Sequence, residues 1–143
     1  MAISVCEVSI TESPLSFPPR GRDVESGAVV DFSGVVRGLE DGTEITGIEY
    51  EAHRAMAEHQ LRRIAEEAIS KHGLSRVLIH HRIGFVPAGE ASVIVRVESS
   101  RRLAAFSANQ SIMEELKRLL PIWKRPIFKG KPAGDMSPAP ARA

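Results

Sequence analysis

The residues of this chain best suited to chemistry are cations grouped around its one tryptophan. In "LKRLLPIWKRPIF", Leu116 to Phe128, Lys117 and Lys124 stand seven residues apart on either side of Pro121, close to Trp123. An unbroken helix would stack both charges on one face, but a proline ends or kinks a helix. Two cations around such a break read either as a solvated basic turn or as a site for an anion. Lys117 falls at the margin of an apolar stripe, where a lysine can bury its stem and keep its ammonium at a cleft edge. Near a helix C-terminus it also complements the dipole, and position alone does not separate the two roles. Lys124 reads as part of a turn braced by Pro121 and Pro126, with Arg125 beside it as a solvated cation.

Other cations could serve the same anion. Arg37 closes "GVVRG", directly after Val35 and Val36, at an expected hairpin mouth. Arg101 and Arg102 open the last helix, where the macrodipole prefers an acid. Helix N-termini and arginine forks are natural phosphate sites, and the alternative is a solvated pair. Histidines offer no metal site: His53 and His59 are six apart on a helix, while His80 and His81 alternate across a strand. No glycine-rich phosphate loop, nucleophile elbow or dinucleotide fingerprint occurs. The sequence calls for neither a metal nor a cofactor.

These side chains need a scaffold, and the pattern supplies one. "GAVVDFSGVVRG" (27–38) reads as a strand with Gly34 as a bulge, and Asp41-Gly42 as a hairpin turn leading into "EITGIEYE" (44–51). Ala57, Leu61, Ile64, Ala65, Ala68 and His72 recur at helical spacing and Gly73 stops the helix. Two more strands, 75–84 and 90–99, are joined by "FVPAG", with Val93, Val95 and Val97 on one face and Arg96 and Glu98 on the other. A last helix spans about Leu103 to Leu120, with a seam of Phe106, Asn109, Met113, Leu116 and Leu120. The order is ββαββα, an α+β domain with a mainly antiparallel sheet and helices on one side. Residues 1–128 form one domain containing a loop at 11–26, and 129–143, rich in Pro and Ala, read as a disordered tail.

Bulk properties narrow the partners. With 143 residues the chain can bury one core. Its net charge of +1 and 5% aromatic content argue against a nucleic-acid surface, so anion recognition must be local. One cysteine, Cys6, suits a reducing cytoplasm, and no apolar run or leader-like N-terminus points to a membrane or to secretion.

Taken together, "GAVVDFSGVVRG", "IEYEAHRAMAEHQLRRIAEEA", "VLIHHRIGFVPAGEASVIVRVESSRRLAAF" and "MEELKRLLPIWKR" resemble, in order and spacing, the large catalytic subunits of molybdopterin synthase, the MoaE family. The resemblance runs from about Gly27 to Arg125. It implies an α/β hammerhead-type fold and a homodimer within a heterotetramer. The partner is a small ubiquitin-like sulfur-carrier subunit whose C-terminal Gly-Gly thiocarboxylate enters the pocket. There it gives sulfur to cyclic pyranopterin monophosphate, and two transfers build the dithiolene of molybdopterin.

By this resemblance Lys117 and Lys124 are the catalytic lysines, and Val35, Val36, Arg37, Arg125 and Pro126 border the substrate. Arg101 and Arg102 come from the neighbouring subunit. Three departures stand out: Arg101 replaces a family histidine, Pro126 replaces an acidic residue, and the tail lacks a tryptophan-containing segment. Arginine stays protonated, so an anion-binding role survives the first change and a proton-transfer role does not. A diverged, non-catalytic scaffold that still binds the carrier or dimerises is the alternative reading.

Overall fold

The structure is a computed structural model, and it describes residues 5–21, 23–130 and 140–143. Strands and helices follow in the order β1 (Val5–Thr11), β2 (Ala28–Val35), β3 (Leu39–Glu40), β4 (Thr43–Ala52), α1 (Arg54–His72), β5 (Arg76–Arg82), β6 (Gly84–Pro87), β7 (Ala91–Ser99), α2 (Arg102–Leu119), β8 (Ile122–Phe128) and β9 (Ala141–Arg142).

The strands divide into two sheets rather than one. The first runs β1-β5-β7-β2, with β1 parallel to β5 and the other neighbours antiparallel. The second runs β3-β4-β8-β9, with β6 also paired to β4. The expected pairing of β2 with β4 does not form. Asp41 and Gly42 do make the turn, both at positive φ (49° and 79°), but they close the two-residue β3 onto β4. The linker "FVPAG" also carries structure, because β6 begins at Gly84, runs into it and pairs with β4. Residues 12–21 and 23–27 contain no helix or strand, as the loop reading expects.

Helix α1 forms as its periodicity predicts. Ala57, Leu61, Ile64, Ala65 and Ala68 are buried, and Gly73 caps the end in the left-handed conformation. His53 Nδ1 accepts the Met56 N–H at the start, a capping role usually taken by Ser or Asp. Helix α2 buries Asn109, Leu116 and Leu120 of the expected seam and half-buries Met113, but Ala105, Ala108 and Ile112 pack inward where Phe106 was expected. Small residues let the helix approach the first sheet, and Asn109 Nδ2 donates to the carbonyls of Val30 and Val95, tying α2 to both β2 and β7. Phe106 turns outward and is 61% exposed.

Val77, Ile79, Val93, Val95 and Val97 face both helices in one core. The opposite face of β7 is covered by the loop after β1. Arg96 makes a two-pronged bond to Asp31, donates to the Pro18 carbonyl and lies under the Phe17 ring, while Arg20 pairs with Glu98. Among the described residues, no helix is long and apolar enough to cross a membrane.

The second sheet is held close by Gly47. It faces Pro87 on β6 and Ile127 on β8, and a Cβ there would collide with the Val86 carbonyl oxygen and the Phe85 ring. Gly47→Ala is expected to destabilise the fold by roughly 2–4 kcal/mol, as overpacking against backbone does. Urea unfolding at neutral pH measures this, and an unchanged midpoint would mean that β6 yields without loss.

Candidate functional site

The site begins where α2 ends. Its last helical residue is Leu119, and Leu120 adopts an extended conformation while its N–H still bonds the Leu116 carbonyl. Pro121 follows, its carbonyl accepting the His53 N–H, and β8 starts at Ile122. Lys124 therefore sits on a strand and not on a turn, because β8 finds a ladder along β4. The register pairs Ala52 with Ile122, Tyr50 with Lys124, and Ile48 with Pro126. Side chains alternate along a strand, so Lys124 shares a face with buried Tyr50, while Trp123 and Arg125 point the other way, opposite Glu51 and Glu49. Pro126 is tolerated at the outer edge of β8, since β9 pairs only with Trp123 and Lys124.

Lys117 from the last turn of α2 and Lys124 from β8 line one cavity of about 250 Å³. Phe32, Val35, Met113 and Leu116 supply apolar walls, and His81, Tyr50 and Ser92 supply polar groups. The first sheet shapes this wall through a bulge. Gly34 pairs with Val93 and Val35 with Ala91, so the ladder skips Ser92 on β7. The expected irregularity is at Gly34, but the extra residue belongs to the partner strand. A Cβ on Gly34 would meet Val93 Cγ1 at 2.7 Å, which explains the glycine.

The other expected site residues fall into separate places. Val35 is half exposed at the cavity, whereas Val36 is buried in the core. Arg37 is exposed beyond Val36 and does not line the cavity, and neither do Arg125 on the far face of β8 or Pro126, which packs inward. Arg101 and Arg102 are exposed at the start of α2, and Arg101 occupies the N-cap with no side-chain cap bond. At about 1.5 Å per residue they lie roughly 22 Å along the helix from Lys117, out of reach of the same cavity. The tail also departs from expectation at its end. Ala141 and Arg142 form β9 against β8, Arg142 donates to the Leu120 carbonyl, and Ala143 reaches the cavity. Residues 131–139 of that tail lie outside the described residues.

His81, Tyr50 and Ser92 join the site without any sequence motif that marks them. The available signal was the alternation of "HH", which had to send one imidazole inward. His81 is that one, buried on β5, with its Nδ1 2.8 Å from the Arg82 carbonyl. A carbonyl only accepts, so Nδ1 carries the proton and Nε2 carries the lone pair. The ring meets Tyr50 edge-on, with centroids 5.4 Å apart at 74°. Burial pushes the imidazole down to about 4, against a smaller opposing effect of the bond to Arg82. Burial likewise raises Tyr50, with the Ser92 hydroxyl nearby acting in the other direction. Among the described residues no three His, Cys, Asp or Glu side chains gather as metal ligands.

The His81 environment has a consequence for stability. The folded state holds the imidazole neutral, while the unfolded chain takes up a proton below about pH 6.5. The unfolded state thus binds more protons between pH 6.5 and 4, so stability is full above that window and falls as pH drops through it. The loss traceable to His81 is expected to be on the order of 3 kcal/mol. Urea unfolding from pH 7 to pH 4 on wild type and His81→Gln checks it, the variant losing this part of the slope.

Comparison with known proteins places the chain in a family. The family model for MoaE protein matches residues 10–119. The molybdopterin synthase catalytic subunit of Thermoplasma volcanium is 40% identical over 125 residues, covering 85% of this chain and 91% of that protein. Its counterpart in Oryza sativa subsp. indica is 39% identical over 107 residues, 75% of this chain, and the match spans only 55% of the longer rice protein. Molybdopterin synthase from Staphylococcus aureus, solved by X-ray crystallography, superposes with a TM-score of 0.75 at 32% identity, over 87% of this chain and 92% of that one. On the family match across most of its length, and on relatives this similar, the chain belongs to the MoaE protein family.

Proposed function

We propose that this chain is the catalytic subunit of a molybdopterin synthase, a sulfurtransferase of molybdenum cofactor biosynthesis. It takes sulfur from the C-terminal thiocarboxylate of a small carrier subunit and delivers it to cyclic pyranopterin monophosphate, forming the dithiolene. The observation that carries this reading is the convergence of Lys117 and Lys124 on one cavity with apolar walls, in a chain of this family. The substrate is a phosphate ester and the sulfur donor an anion, so cations at a partly desolvated cavity suit both.

In this reading Lys117 performs acid/base or covalent chemistry at the carbons that receive sulfur. Lys124 orients the thiocarboxylate or the phosphate. Arg37 and the Arg101-Arg102 pair hold phosphate, the pair coming from a second copy of the chain in a homodimer, within a heterotetramer completed by two carriers. Two features support that assembly: the distance along α2 between the arginines and Lys117, and the exposure of Leu103 (76%) and Phe106 (61%) on the same helix. Val35 lines the cavity and suits a substrate contact, and Arg125 and Pro126 act by fixing β8 around Lys124. A cytoplasmic location belongs to the same reading, and the single half-buried Cys6 suits a reducing compartment.

Incubation with thiocarboxylated carrier and the cyclic pterin tests the activity directly. Lys117→Ala is expected to reduce kcat by about 100-fold or more, as loss of a proton-transfer group does. Lys124→Ala is expected to raise KM about tenfold through loss of a charge-assisted bond. Full product formation by Lys117→Ala would sink the assignment of that residue. A second measurement addresses the shared site. Mixing Lys117→Ala subunits with Arg101→Ala/Arg102→Ala subunits should restore about a quarter of the wild-type sites, because half of the random dimers contain one intact site. No recovery on mixing would place all these residues in a single chain's site.

A further inference from the structure

The two lysines account for anions, but the cyclic pterin also presents a flat, neutral heterocycle with ring N–H donors, and no residue assigned above recognises it. The cavity contains groups suited to that task. His81 reaches it from the centre of the first sheet, between β1 and β7, where main-chain ladders on both sides fix its backbone. Its Nδ1–H is committed to the Arg82 carbonyl and its ring is wedged against Tyr50, so the free lone pair on Nε2 has one orientation. Tyr50 and Ser92 line the same wall and add hydroxyls, the Ser92 Oγ donating to the Gly34 carbonyl at 3.4 Å. The bulge on β7 is what brings Ser92 to this wall. Phe32, Val35 and Met113 offer apolar surface for the faces of a planar ring. Burial keeps the imidazole uncharged at neutral pH, so it accepts a hydrogen bond and adds no positive charge to the floor.

We propose that His81 is a specificity-determining residue: its Nε2 accepts a hydrogen bond from an N–H of the pterin ring, with Tyr50 and Ser92 completing the polar floor of the cavity. This rests on the functional reading above and extends it from the phosphate end of the substrate to the ring. An unpaired acceptor at such a floor also discriminates, because a ring without the matching N–H would leave Nε2 buried and unsatisfied.

Two amides separate the nitrogens of the imidazole. In His81→Asn the side-chain amide can replace the Nδ1–H donor to Arg82 but places nothing at Nε2. In His81→Gln the longer side chain can return an acceptor to the Nε2 position. Calorimetric titration with the cyclic pterin, without carrier, should give a Kd raised about tenfold for His81→Asn and within about threefold of wild type for His81→Gln. In turnover with thiocarboxylated carrier, KM should follow the same split with kcat and carrier affinity unchanged. Tyr50→Phe, which keeps the ring and removes the hydroxyl, provides a second variant and is expected to weaken pterin binding about threefold. Equal binding by both His81 variants overturns the proposal, whether both match wild type or both are weakened alike as a purely structural role requires. Unchanged pterin affinity in Tyr50→Phe removes the hydroxyl from the floor and counts against it too. A wild-type protein that neither binds nor converts the cyclic pterin overturns the functional reading instead. That outcome is read on the unmutated chain and so is distinct from a failure at His81.

Discussion

The arrangement of the site depends on one ladder, the antiparallel pairing of β4 with β8. Its register decides which face Lys124 occupies, and a slip of one residue would turn Lys124 outward and Trp123 inward. The chain fixes that register at its first residues. Pro121 cannot continue α2, its carbonyl receives the His53 N–H, and Ile122 enters fully buried opposite Ala52. Once Ile122 faces inward, alternation sends Lys124 to the side of Tyr50 and Pro126 to the core. Arg142 reinforces the junction from outside by donating to the Leu120 carbonyl. The proline break is thus the device that turns a seven-residue separation on a helix into two side chains meeting from different elements.

The distribution of charge follows from the same geometry. Groups deep in the cavity are neutral at physiological pH: His81 because burial disfavours its proton gain, Tyr50 because burial disfavours its proton loss. Positive charge is confined to Lys117, exposed at the end of α2, and Lys124, half-buried on β8. A cation on the floor would need a buried counter-charge, and an unpaired one would be expensive. Neutral polar groups inside and cations further out suit a ligand with one anionic end and one neutral, hydrogen-bonding end. This local gradient is compatible with a chain whose net charge is only +1.

Local signals in the sequence were legible where they arose from backbone chemistry. Gly73, Asp41-Gly42, the irregularity at Gly34 and the burial stripe of α1 all reflect sterics or periodicity within a few residues. Pairing was less legible. In sequence β2 and β4 look like the two arms of a hairpin, yet β2 joins β7 and β4 joins β8, partners more than fifty residues away. The prolines flanking Lys124 make that stretch read as a turn, and only the distant β4 makes it a strand. In sequence His81 shows only as one of two alternating histidines with no metal partner. Its place on the floor of a cavity depends on three elements that approach one another only in the folded chain.

Helix α2 follows its apolar periodicity except at Phe106. Periodicity counts Phe106 as core because it registers only that it is apolar and shares a stripe with Asn109, Met113 and Leu116. Packing against the first sheet instead selects the small residues Ala105 and Ala108, with Asn109 bridging two strands, and rotates Phe106 into solvent. Large apolar side chains so displaced need another partner, and Phe106 borders a groove with Phe32, Met113 and Lys117, adjoining the cavity. The same helix presents Arg101 and Arg102 about four turns from Lys117, too far to act on one ligand within one chain. Both observations are satisfied together if a second copy covers α2, since the surface that buries Phe106 also brings a foreign pair of arginines toward each cavity. The outward Phe106 and the distant arginines would then share one physical origin: a helix whose sequence serves an interface as well as a core.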